Sequence, residues 1–184
     1  AALLVPLIPP HALELGTLHF KVGQEQQPSE IVAHLIDCGF GRVPAVDGLG
    51  QFSMRGGILD IYPFGTEDPF RIEFFGDEIE TIRHFDISTQ RSRSNCEEAI
   101  IPPACEVVLN SPFYEDYTER LNAAEEHAKA LAPLRDQFEL GQTLEGLENY
   151  MALLYDRDHG LFEYLKDPII FVEEDDDLYP EAEK

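Results

Sequence analysis

Arg71 and Phe75 in Phe70-Arg71-Ile72-Glu73-Phe74-Phe75 are residues whose types and spacing suit molecular recognition, and Arg55 stands before the paired glycines of Met54-Arg55-Gly56-Gly57. Alternate side chains of a strand point to opposite faces. Phe70, Ile72 and Phe74 therefore share one face of such a strand, and Arg71, Glu73 and Phe75 share the other. That places a large aromatic beside an arginine on the polar side. Exposed aromatics with arginines are the composition of a protein-binding hot spot. The pattern equally allows Phe75 to be covered by a loop or helix of the same chain. The two glycines after Arg55 permit a bulge or a close backbone approach, or a simple bend.

Bond-making chemistry finds less support. The six histidines (11, 19, 34, 84, 127 and 159) lack the i, i+4 spacing of a zinc-binding helix, and no G-x-S-x-G nucleophile elbow occurs. Carboxylate pairs are abundant, but in so acidic a chain their adjacency carries little information. Asp175, Asp176 and Asp177 follow the apolar run Pro168 to Val172, as magnesium-holding acids follow a strand in ATPases. However, no G-x-x-x-x-G-K-[ST] loop is present to bind nucleotide phosphates, so these acids are read as a helix N-terminus or a solvated loop. Catalytic residues, metal ligands and cofactors are accordingly not expected in this chain.

The elements that must position the arginines are readable from turn chemistry. Thr17 to Val22 predicts a strand, and Pro28 opens a helix whose Ile31, Val32, Leu35 and Ile36 form one apolar face before Gly39 stops it. A strand near Gly41 to Val46 is expected, then turn signals at Asp47-Gly48 and Gly50, then several strands from Gln51 to about Arg83. Gly65 to Pro69 and Phe85 to Gln90 read as connections, and Arg55 ends a strand neighbouring that of Arg71. Glu78 to Phe85 breaks alternation, since Ile79 and Ile82 fall on opposite faces; a bulge would restore the register. One strand, one helix and a run of antiparallel strands argue for an α+β domain. Beyond Pro103 the reading is helical, over 113 to 138 with a break or kink at Pro133 and again over 144 to 155. The buried parallel-type strand Pro168 to Val172 follows.

The chain has 36 Asp and Glu against 13 Lys and Arg, a formal net charge of -23. Such a charge repels phosphate backbones and favours protein partners over autonomous DNA binding. Arg55, Arg71, Arg83, Arg91 and Arg93 nevertheless concentrate in the strand-rich part, where pairing with acids such as Glu73 and Asp77 competes with a locally positive patch. Cys38, Cys96 and Cys105 are widely spaced and odd in number, which fits reduced thiols and a cytoplasmic setting. Neither a leader pattern nor an apolar run of membrane-spanning length is visible. The proline-broken start AALLVPLIPP, without methionine, is expected of an excised segment packed on an upstream domain.

RGGILDIYP followed by FRIEFFGDEIETIRHFD resembles the segment shared by UvrB and the bacterial transcription-repair coupling factors. The fuller string GILDIYPFGTEDPFRIEFFGDEIETIRHFDISTQRS, the lead-in LHFKVGQ and the later LEGLENYMALLYD are more similar to the coupling-factor family. The resemblance implies three parts. Residues 1–16 would be the tail of an upstream domain or a linker, and 17–103 a UvrB-like UvrA-interaction domain. Residues 104–184 would be the second part of a degenerate helicase-like α/β domain. It also implies an adaptor that recruits UvrA through Arg55, Arg71 and Phe75, without chemistry of its own. The parent would be an ATP-dependent DNA translocase, using ATP and magnesium elsewhere, that displaces stalled RNA polymerase; a further reading would have the UvrA face masked by another domain of that parent. The other reading the resemblance allows is a piece of a UvrB-type excinuclease helicase subunit acting in ATP-driven DNA handling.

Overall fold

The computed structural model describes residues 7–108, 117, 119–120, 151–155 and 159–169. In chain order these form α1 (Pro10–Gly16), β1 (Leu18–Lys21), α2 (Pro28–Asp37), β2 (Gly41–Arg42), β3 (Gln51–Arg55), β4 (Ile58–Tyr62), β5 (Phe70–Phe75), β6 (Glu78–Phe85), β7 (Ser92–Cys96) and β8 (Glu98–Ile101). A short helix, α3 (Met151–Leu154), and a 3-10 turn (Leu161–Tyr164) follow. Strands β2 to β7 make one sheet in sequence order, antiparallel throughout except for the parallel β2–β3 pair. β1 and β8 pair as a separate antiparallel ribbon. The architecture is the strand-rich mixed α and β class expected from the sequence.

One face of the large sheet is the core. Phe52 of β3, Leu59 and Ile61 of β4, Phe70, Ile72 and Phe74 of β5, and Ile79 and Ile82 of β6 are buried there with Ile31 and Leu35 of α2 and Phe20 of β1. Each such side chain contributes about 1.5–3 kcal/mol on burial. The irregularity in β6 is real: Glu73 pairs with Thr81 and Phe74 with Ile79, so Glu80 is the extra residue. That bulge turns both isoleucines inward.

Elsewhere local sequence is overridden. The strand expected over 41–46 ends at Arg42, because Pro44 has no N–H for the ladder; its carbonyl instead accepts the Ser53 hydroxyl. Residues 10–16, within the stretch read as a tail, form α1 with Ala12 and Gly16 buried, and the Gly16 carbonyl accepts from His34 and from the Cys38 thiol. The core also passes the boundary drawn after Pro103, since Val108 packs in the same cluster. The helix expected over 113–138, most of 144–155, and residues 170–172 and 175–177 lie outside the described residues. Met151 and Leu154 of α3 are buried, while Pro168 and Ile169 are not in a strand and Ile169 is exposed.

Candidate partner-docking face

The opposite face of the sheet is covered at one end and open at the other. At the covered end the turn 86–91 and the segment around Val46 close over Phe85: Gln90 donates its side-chain amide to the Val46 carbonyl, and both Val46 and Phe85 are fully buried. Cross-strand register then orders the remaining side chains in rows. Ser53, Asp60, Arg71 and Arg83 form one row, and Arg55, Ile58, Glu73 and Thr81 the next. Phe75 and Glu78 lie beyond, at the sheet's end. Exposure rises along this direction, from 13% for the Arg71 side chain to 52% for Arg55 and 79% for Phe75.

Two tight hairpins build the open end. Arg55 pairs with Ile58 and Phe75 with Glu78, each across two residues whose first is a glycine of positive φ, 58° at Gly56 and 64° at Gly76. A positive φ at the first central position alone is the II′ pattern. Gly57 answers a different need. Its carbonyl accepts the Phe74 N–H at 2.7 Å, and a Cβ on Gly57 would stand 2.7 Å from the Phe74 carbonyl oxygen. The Gly56-Gly57 pair thus supplies both a turn and a close approach, and Arg55 and Phe75 become the last residues of their strands.

The arginines are held by carboxylates. Arg71 forks onto Asp60, Nε to Oδ1 at 2.6 Å and Nη2 to Oδ2 at 2.9 Å, and its Nη1 donates to the Gln90 carbonyl at 3.0 Å. The Arg71 guanidinium also stacks over the Phe85 ring, 4.7 Å from its centroid. The hydrogen bond to Asp60 raises the Arg71 pKa further above its ordinary value. Arg55 donates Nη2 to Asp60 Oδ2 at 2.7 Å. Arg71 and Arg83 stand directly opposite, an unfavourable like-charge pair. Asp60 on one side and Glu73, 3.2 Å from Arg83, on the other relieve it.

The structure therefore brings Arg55 and Arg71 together at one carboxylate, with Phe75 on the same face near the open end. Three details differ from the sequence reading. β4 lies between the strands of Arg55 and Arg71, which are not immediate neighbours. The acids that pair with the face's arginines are Asp60 and Glu73, not Asp77. Arg71 has most of its donors engaged inside the domain, so Arg55 and Phe75 are the more exposed members. Phe75 is not covered by the described residues, and the adjacent Ile58, 38% exposed, adds apolar surface. Asp60 was missed by the sequence reading; the available signal was a lone carboxylate in the apolar strand Ile58-Leu59-Asp60-Ile61, which strands disfavour without a partner.

A cavity of about 550 Å³ lies between α2 and the β5–β6 hairpin, lined by Leu18, Glu25, Glu30, Ile31, His34 and Asp77 among others. Its histidine is bonded to the Gly16 carbonyl. Among the described residues no three His, Cys, Asp or Glu are grouped to hold a metal, and no helix is long and apolar enough to cross a membrane.

Residues 18–106, which contain the large sheet and this face, match the family described as the UvrB interaction domain. Over a longer stretch the chain is similar to the transcription-repair-coupling factors. It is 33% identical over 168 residues to that of Staphylococcus aureus (strain USA300), covering 84% of this chain and 14% of the relative. To that of Staphylococcus haemolyticus (strain JCSC1435) it is 30% identical over 177 residues, covering 89% of this chain and 15% of the relative. The chain thus spans about a seventh of the length of these relatives.

Proposed function

We propose that the open end of this face docks UvrA, and that the chain is the UvrA-recruiting adaptor of a transcription-repair coupling factor. The observation that carries this reading is Phe75, a large aromatic left exposed at 79% on the same face as Arg55 and Ile58 in a domain similar to the UvrB interaction family. Phe75 fills an apolar pocket on the partner, and the half-exposed guanidinium of Arg55 meets an acidic group there. Arg71 stands behind them, holding the shared carboxylate. The names of the relatives favour the coupling-factor assignment over a UvrB-type subunit. In the parent, ATP-driven translocation with magnesium, duplex DNA binding and displacement of stalled RNA polymerase belong to other regions, and residues 104–184 are the second part of a degenerate helicase-like domain.

An arginine-led contact weakens as salt screens it, by a Debye length that shrinks from about 10 Å at 0.1 M to about 3 Å at 1 M. Calorimetric titration of the chain into UvrA at increasing salt tests the reading. Saturable 1:1 binding whose affinity falls with salt is expected; no binding at low salt contradicts it.

A further inference from the structure

Asp60 has a fully buried side chain in the middle of an apolar strand. It lies opposite Ser53 on one side and Arg71 on the other, between Leu59 and Ile61, which both point into the core. An isolated carboxylate there would be strongly disfavoured. Its two oxygens instead take three hydrogen bonds from two arginines on different strands. The Arg71 fork fixes the plane of the carboxylate, since bidentate guanidinium pairs are directional. Arg71 is itself fixed, by the Gln90 carbonyl and the Phe85 ring, both anchored in the covered end.

We infer that Asp60 is the positioning residue of the docking face: with Arg71 as its brace, it holds the Arg55 guanidinium in place at the open end for an acidic side chain of a protein partner. This rests on the docking reading above. A long side chain loses rotamer freedom on binding, and pre-ordering it in the free protein removes that loss. Two guanidinium groups on one carboxylate also leave an excess of positive charge at that spot, although the whole chain is acidic. Arg55 keeps four of its five N–H donors for the partner, the fifth being bonded to Asp60.

Side-chain 15N relaxation of the arginine Nε groups in the wild-type chain tests the brace without a partner. Arg55 is expected to be nearly as ordered as Arg71 and clearly more so than the exposed Arg42. An Arg55 as mobile as Arg42 overturns the inference and leaves the docking reading standing. Asp60→Asn, if folded by near-ultraviolet circular dichroism, is expected to lose about tenfold in UvrA affinity. In that background Arg55→Ala should cost clearly less than in wild type, as residues of one network are non-additive. Strictly additive losses overturn the positioning role. An ordered Arg55 whose removal leaves UvrA binding unchanged overturns the docking reading instead, with the brace intact. If Asp60→Asn does not fold, the wild-type relaxation measurement still decides.

Discussion

At the scale of residues, burial separates the groups that hold the domain together from those it offers outward. Phe75 and Arg55 are on the offered side, whereas Asp60 and Arg71 support them from below. Cys38 illustrates the opposite extreme. It caps α2, its thiol donates to the Gly16 carbonyl, and burial pushes its pKa up to about 12. The unfolded chain ionises this thiol from about pH 8.5. Because the folded value is raised, the stability it contributes is fully present below the ordinary thiol range and is lost as pH rises through the window up to about 12. Thiol alkylation at pH 8 followed by peptide mapping should find Cys38 protected in the folded chain and modified promptly in denaturant. Equal rates in both states would contradict its burial.

At the scale of elements, the site depends on hairpin ends being set at the right depth. Gly57→Ala places a methyl group against the Phe74 carbonyl, which is backbone and cannot swing aside. Strain of this kind costs about 1–3 kcal/mol, so chemical denaturation should show a loss in that range, and UvrA affinity should fall with it because Phe75 adjoins the displaced segment. Unchanged stability would mean that β4 and β5 can separate freely there. Much of this framework was legible in the sequence. The alternation of Phe70 to Phe75 gave the two faces of β5, the clash of Ile79 with Ile82 gave the bulge in β6, and Pro28 and Gly39 bounded α2. β7 was not legible, because Ser92-Arg93-Ser94-Asn95-Cys96 has no apolar alternation and is exposed from Ser92 to Asn95, held by the β6 ladder. Seven-residue α1 depends on packing beside Pro103 and Val108, which no local pattern encodes. At the face itself alternation put Arg71 and Phe75 on one side of their strand, whereas the set of Arg55, Arg71 and Phe75 came from the family resemblance. The carboxylate joining two of them was not legible, because it is a register relation across three strands.

At the scale of the whole molecule, a net charge of -23 would lead one to expect an acidic surface, and the face described above departs from it. The domain achieves this by gathering Arg55, Arg71 and Arg83 on one side of one sheet around two carboxylates, Asp60 and Glu73. The covered end engages Arg71 and the other end is left exposed at Phe75, while the hydrophobic core packs on the opposite side. The family match spans 18–106, the part that contains the whole arrangement. The central claim is that this open end binds UvrA, and it is tested most directly by UvrA affinity for Phe75→Ala and Arg55→Ala measured beside their melting temperatures. Phe75→Ala should lose about 2 kcal/mol or more of binding energy, as hot-spot aromatics do, with a melting temperature close to wild type because that side chain is solvent-exposed. Arg55→Ala should lose a comparable amount of binding, with a lower melting temperature because buried Asp60 loses one of its hydrogen bonds. Two folded variants that bind UvrA like wild type would contradict the account.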